Sequence, residues 1–558
     1  MLNILDKLWG EKYRNMKNDT MGTFMKTKKR SGIKAARGAT CLGLAIAVLL
    51  TLAVPYRALA IQGDSGYDSG ISSGEDQSAS TSSKTSSKIV YEYQELCFLS
   101  GTPVIFDGTV TITKKLKTDS KTNVQTLTTT YKYAMTNPNA AADNLSRTVI
   151  FATTITPKGN GQKTESTKLT TATETIKVNG VQYFIPNKND YVLSKSDLID
   201  NKPAVNYYNG TLRTKKTYHI GKTNSTDTII VESSGNYFGY DEYWSSAEAQ
   251  IITQKISRRN PAKKIGDIGT VNIEVSNTTK KEMEYYENIP QESSIAGGYV
   301  QTEKNENILK YTAKLSELDK NKVPTTKINT YTDSLKLESF PTQTSLISPD
   351  LKQINGHPSE EAISLMFGLE AFTDSVGFDP EEYMSRGDFI NALVKIAKEV
   401  PLDPVFITKS RTTTSRQKNV TVTPLFTDVS VNHALFDSIN GAATRGIIYG
   451  NGKSKFNPDK LITMADAVTM IINSMGLNGL APNPAAVTSF KDNDSIPSFA
   501  RPSMYVAEKI GLIQEDAKGY IHPKDKITKA KAAEMMKAYI EYMSSGIRSE
   551  YMDKIMSY

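Results

Sequence analysis

At 558 residues the chain is too long for one compact domain, and two to four are expected. Its formal charge of +8 would suggest a nucleic-acid partner, but residues 1–60 hold eleven of the 67 Lys/Arg and three of the 59 Asp/Glu. The rest carries 56 of each sign, which is formally neutral and excludes that class.

The N-terminus reads as a secretory signal peptide. Lys26, Lys28, Lys29, Arg30, Lys34 and Arg37 precede an apolar run from Cys41 to Val54, and Ala58-Leu59-Ala60 closes the segment, so cleavage is expected after Ala60. The run is shorter than the roughly 20 residues that span a bilayer. An uncleaved membrane anchor is the weaker reading, and no later segment reads as a transmembrane helix. Cys41 heads the run rather than following it, which argues against lipid attachment, and Cys97 is the other cysteine, so no intramolecular disulfide is expected outside the leader.

Residues 61–88 are rich in Ser and Gly and nearly free of apolar side chains, the composition of a disordered linker. From 89 to 350 the texture becomes Thr, Lys, Tyr, Val and Ile in short alternating runs, such as GTVTITKKL from Gly108 and TVNIEV from Thr270. Alternation with β-branched and aromatic enrichment predicts antiparallel strands, and one or two β-sandwiches are expected.

This central region carries little that reads as catalysis. Of the four histidines, His219, His357, His433 and His522, only His219 lies in it, so no clustered His/Cys metal site is available. Cys97 reads as a small buried hydrophobe. The segment Tyr237-Phe238-Gly239-Tyr240-Asp241-Glu242-Tyr243-Trp244 joins aromatic faces to carboxylates. Such a segment suits core or strand-edge packing, sugar stacking or glycoside chemistry. Packing is the reading preferred here. No cofactor is expected.

Beyond about Leu351 the spacing turns helical, and three segments align without a gap: from Gly368, Gly446 and Gly511. Ten residues after each glycine stands Phe378, Phe456 or Ile521, and two further on Pro380, Pro458 or Pro523. Five beyond that stands Ser385, Thr463 or Thr528. Phe426-Thr427-Asp428 and Phe490-Lys491-Asp492 lead into two of the copies. Each copy predicts a short helix ending at its glycine, a Phe-x-Pro loop, and a second helix capped by the Ser or Thr. The apolar faces of the second helices are Phe389, Leu393 and Ile396; Val468, Ile471, Ile472 and Met475; and Ala532, Met535, Met536 and Tyr539.

The second copy, FTDVSVNHALFDSINGAATRGIIYGNGKSKFNPDKLITMADAVTMII, resembles an S-layer homology (SLH) repeat, and the resemblance extends over roughly residues 355–542. It implies three repeats, at 351–407, 424–480 and 488–545, forming an all-α bundle behind the β-rich region. It also implies grooves between repeats that bind secondary cell-wall polysaccharide, typically through a pyruvylated sugar. The family's Thr-Arg-Ala-Glu tetrad is matched in part by Ser385-Arg386-Gly387-Asp388, by Thr463-Met464-Ala465-Asp466 and by Thr528-Lys529-Ala530-Lys531. Arg386 is the expected carboxylate ligand, since a guanidinium grips a carboxylate through two hydrogen bonds. Lys529 keeps the charge without the fork, and Met464 loses it. Gly450 and Gly452 match the loop glycines, needed there for ligand approach or only for positive φ. The family's upstream tryptophan is absent, with Phe499 standing in for it in the third copy and Ala434 in the second. Ser385 with Asp388 and Thr463 with Asp466 also read as ordinary capping boxes.

The preferred reading is an exported structural protein of the bacterial surface, held non-covalently to the wall and not an enzyme. Self-association in a surface layer is a further expected partner interaction. An adhesin using the aromatic segment, and a wall-anchored hydrolase, remain as alternatives.

Overall fold

The computed structural model describes residues 68–74, 86–119, 122, 124–158, 161–262, 266–286, 297–319, 323–398, 424–452, 454–482 and 486–547. The predicted signal peptide at 1–60 and much of the predicted linker lie outside them.

Among the described residues, fifteen strands form one hydrogen-bonded sheet. They are β1 (Gly70–Ser72), β2 (Ser86–Cys97), β3 (Val104–Thr118), β4 (Gln125–Asn137), β5 (Ala140–Pro157), β6 (Gln162–Val178), β7 (Val181–Ile185), β8 (Tyr191–Asn201), β9 (Val205–Ile220), β10 (Thr228–Glu242), β11 (Ser245–Arg259), β12 (Asp267–Tyr286), β13 (Gly298–Leu318), β14 (Pro324–Glu338) and β15 (Thr342–Ile347). Nearly every strand pairs antiparallel with its neighbours in sequence; β7 and β8 share the gap between β6 and β9, and β14 and β15 share the far edge of β13. The alternation seen in the sequence sets the faces. In β4, Thr129, Tyr131, Tyr133 and Met135 are buried while Lys132, Ala134 and Thr136 face solvent.

One sheet replaces the expected sandwiches. Short turns such as Asn179-Gly180, both at positive φ, return each strand beside the last, so no long crossover starts a second sheet. The sheet instead rolls until its ends meet. Asn307 Nδ2 donates to Ser72 O at 2.8 Å, Ser69 Oγ donates to Gln254 Oε1 at 3.1 Å, and the Phe98 ring lies 5.5 Å from that of Tyr311.

Residues 68–74 depart from the linker expectation. They include β1, which is wholly buried and paired with β2. What holds them is long-range: Asp68 joins an ionic cluster inside the roll. There Arg147 donates to Glu95 Oε1 at 2.6 Å and Oε2 at 2.9 Å and to Glu174 Oε1 at 2.6 Å, and Lys216 bridges Asp68 and Glu174. Burial pushes Glu95 up to about 7. Burial acts on Glu174 in the same direction, but Arg147 and Lys216 outweigh it and hold that carboxyl below its usual range. Cys97 is a buried hydrophobe, as read, its thiol pushed up to about 12 by burial.

After the sheet come three helix–loop–helix units: α1 (Glu360–Gly368) with α2 (Arg386–Ala397), α3 (Phe436–Thr444) with α4 (Met464–Met475), and α5 (Arg501–Lys509) with α6 (Lys529–Glu541). The apolar residues expected on α2, α4 and α6 are all buried. One helix end differs from expectation. Gly446 and Gly511 take the left-handed turn after α3 and α5, at φ 74° and 70°, but in the first unit Glu370 takes it, at φ 59°. Gly368 is the last residue of α1, so the first unit's loop is two residues shorter than the gapless alignment implies. No helix among the described residues is long and apolar enough to cross a membrane.

The helices share a core with the roll. Trp244, Tyr240, Ala204, Val205 and Tyr299 pack into the cluster built by α1–α6. Trp244 is 0% exposed and donates from Nε1 to Ile396 O at 3.0 Å. Of the aromatic segment, Tyr237 and Tyr240 are likewise interior, 1% and 2% exposed, while Phe238 and Tyr243 are half-buried. The buried rings of Tyr237, Tyr240 and Trp244 present no face to a sugar, which favours the packing reading.

Candidate functional site

The capped starts of α2, α4 and α6 come together, for a reason visible in the backbone. Helix starts leave free N–H groups that need acceptors. Ser385, Thr463 and Thr528 hydroxyls accept from Asp388 N, Asp466 N and Lys531 N at 3.0, 3.2 and 3.3 Å. Ser385 and Thr463 also donate to the carboxylates of Asp388 and Asp466, so each cap is answered three residues later, at its hydroxyl rather than at the backbone N–H of a full capping box. The two N–H groups ahead of each capped one are satisfied by the neighbouring unit. Arg386 N and Gly387 N donate to Lys460 O and Pro458 O; Met464 N and Ala465 N to Asp525 O and Pro523 O; Lys529 N and Ala530 N to Glu382 O and Pro380 O. One residue before the caps, Met384 N donates to Ile527 O, Ile527 N to Ile462 O and Ile462 N to Met384 O, at 3.0, 3.3 and 3.0 Å. The three units thus close a ring in which each proline-bearing loop receives the second helix of the unit before it, the first loop receiving that of the third unit. With these amides occupied, an anion arriving at the ring has side chains rather than helix termini to bind.

The first junction, between α2 and the second unit's loop, is the most elaborated. Arg386 lies with its guanidinium carbon 4.9 Å from the Phe456 ring centroid and donates from Nε to Phe456 O at 3.2 Å. Its NH1 pairs with Asp466 Oδ1 at 2.8 Å, and the two side chains are 13% and 17% exposed. At the equivalent third-to-first junction Lys529 stands 5.2 Å from the Phe378 ring centroid and pairs with Glu382. The second-to-third junction has Met464, 8% exposed, in the cation's place.

Other expected residues fall elsewhere. Phe499 is 57% exposed at the head of α5, and Gly450 and Gly452 lie in the α3–α4 loop. Neither glycine has positive φ, which corrects that explanation. A Cβ on Gly450 would come within 2.8 Å of the Phe426 ring, so there glycine answers a close approach, whereas Gly452 faces open space.

Sequence reading missed the carboxylates that fix the loops. Asp428 accepts from Phe456 N and Asn457 N at 2.9 and 2.7 Å, and Asp492 accepts from Ile521 N and His522 N at 3.1 and 2.8 Å. The Phe-x-Asp triplets were the visible signal of these clamps. Burial raises the Asp428 carboxyl, but the two backbone donors more than offset it and hold it below its usual range.

The ring is oriented. Each unit touches the β-roll near the far end of its second helix: Ile396 O accepts from Trp244, Ser474 O from Ala204 N, and Met543 O from the Ser245 hydroxyl. At 1.5 Å per residue, twelve-residue helices place the junctions on the order of 18 Å from that contact, on the side facing away from the roll.

Residues 425–468, which span α3, its loop and the start of α4, match the S-layer homology domain. Over 118 residues the chain is 32% identical to the S-layer protein sap of Bacillus anthracis and to an S-layer protein of Bacillus thuringiensis subsp. finitimus. Each match covers 20% of this chain and 13% of the relative. The chain therefore carries an S-layer homology domain at residues 425–468, and its place is the bacterial cell surface.

Proposed function

We propose that this is a structural, non-enzymatic surface-layer protein. Its three helix–loop–helix units act as SLH repeats and hold it non-covalently to secondary cell-wall polysaccharide. Export uses residues 1–60, and the β-roll is the part displayed, available for self-association. The observation that carries the anchoring is the first junction, where Arg386 sits on Phe456 at the end facing away from the roll. A guanidinium on an aromatic platform suits a carboxylate-bearing sugar, because the fork binds the acid and the apolar rim accepts the ring. Lys529 on Phe378 is a second, weaker contact, and the junction at Met464 contributes shape without charge.

The test is sedimentation of the full chain with isolated walls, before and after extraction of the non-peptidoglycan polysaccharide. Binding is expected to be lost on extraction and weakened at least several-fold by Arg386→Ala, the scale of losing a hydrogen bond to a charged group. Full binding to stripped walls would overturn the anchoring.

A further inference from the structure

Arg386 is not waiting for a ligand; it already has one. Of its five donors, Nε–H goes to Phe456 O, leaving the NH1/NH2 edge as the place for a bidentate acid. Asp466 Oδ1 holds NH1, on that edge, from the neighbouring unit. The Asp466 carboxylate is itself fixed, since Thr463 Oγ1 donates to its other oxygen at 2.8 Å and Asp466 N is tied to the same hydroxyl. It cannot swing aside without giving up the cap's side-chain bond. At the Lys529 junction Glu382 plays the same part more loosely: its side chain is 58% exposed, and its longer arm can turn into solvent.

We infer that Asp466 is a built-in competitor for the anionic ligand at Arg386, a closing contact that the ligand must displace and that sets the affinity of the first junction. The inference rests on the reading of Arg386 as the ligand's anchor and adds a sign to it. A residue at the tetrad's acidic position would ordinarily count among the binding residues. Here its removal should tighten binding, because the free chain no longer satisfies the guanidinium internally. Two like charges cannot share one guanidinium edge at this distance without repulsion.

The magnitude follows from the pair's exposure. Partly exposed ion pairs contribute up to about 1 kcal/mol, so releasing this one should raise affinity roughly two- to fivefold. Asp466→Asn keeps the shape and the backbone N–H that Thr463 accepts, removing only the charge. Asp466→Ala repeats the release by truncation, so that one misfolded variant does not decide the matter, and circular dichroism checks both. Glu382→Gln should change affinity less than either, because its carboxylate is the freer one.

The probe is isolated wall retaining its polysaccharide, titrated with full-length wild type, Asp466→Asn, Asp466→Ala and Arg386→Ala. Tighter binding by both folded Asp466 variants, with weaker binding by Arg386→Ala, is the expected result. Weaker or unchanged binding by the Asp466 variants, with Arg386→Ala still weakened, overturns the competitor and leaves the anchoring reading intact. No effect of Arg386→Ala overturns both.

Discussion

Glu242 offers the sharpest test of the fused core. It is 2% exposed where β10 meets β11, beneath the helical units. Its Oε2 accepts from Trp244 N at 2.7 Å, and its Oε1 lies 2.8 Å from Ser245 Oγ. That same hydroxyl lies 2.7 Å from Met543 O, past the end of α6. One hydroxyl proton cannot serve two acceptors. If Glu242 is protonated it donates to Ser245, which passes its own proton to Met543 O, and the chain from roll to helix is complete. The electrostatics agree: burial pushes Glu242 up to about 8 from 4.5, although the Trp244 and Ser245 bonds favour the ionised form.

The sign follows. A carboxyl whose pKa is raised in the folded state stabilises fully below its unfolded value near 4.5 and loses that stabilisation as pH rises towards 8. At about 1.4 kcal/mol per pH unit, Glu242 should account for a loss on the order of 3 kcal/mol between pH 5 and pH 7.5, read as the difference between wild type and variant. Glu242→Gln cannot ionise; its amide donates to Ser245 as the acid does, so it should keep that stability. In a chain beginning at Ile61, Trp244 is the single tryptophan, and its fluorescence during urea unfolding reports on this contact. Parallel pH profiles for wild type and variant would refute the reasoning.

Arg147→Ala leaves Glu95 and Glu174 buried without their common partner, and a loss of about 3–5 kcal/mol is expected in urea unfolding. Glu370→Gly should do the opposite. The exposed Glu370 sits at φ 59°, and relieving a left-handed non-glycine should raise stability by roughly 0.5–1 kcal/mol, read from the same midpoint.

Local features were legible in the sequence. Period-two alternation marked the strands, and Ser385, Thr463 and Thr528 marked the helix starts, because both depend on nearest neighbours along the chain. Features fixed by distant residues were not. Residues 68–74 look like linker because Ser and Gly carry no apolar signal. Their burial comes from Arg147, Lys216, Gln254 and Asn307, up to 235 residues away. Gly368 misled for a related reason. A glycine suits the left-handed position after a helix, but packing set that turn at Glu370, while a Cβ on Gly368 would come 3.0 Å from Leu346 O. The ring was hidden too: Pro380, Pro458 and Pro523 read as turn formers, and only the assembled units show their carbonyls receiving the second helix of the neighbouring unit.

Trp244 ties these levels together. On sequence it was an aromatic beside two carboxylates, open to packing, sugar binding or catalysis. In the fold its ring fills the seam between roll and helices, and its indole N–H reaches the end of α2. Ala204 N reaches the end of α4, and Ser245 beside it reaches the segment after α6. A threefold ring touched at all three units cannot tilt on the roll about one contact; it moves with the roll or separates from it whole. On the proposed display of the roll, pulling on it loads all three junctions together rather than peeling them in turn. A surface protein held by several weak, unequal sites gains most when they share load, since each bound site keeps the others at high effective concentration. On the proposed anchoring, the buried tryptophan serves the wall junctions from some 18 Å away, by keeping them one rigid body.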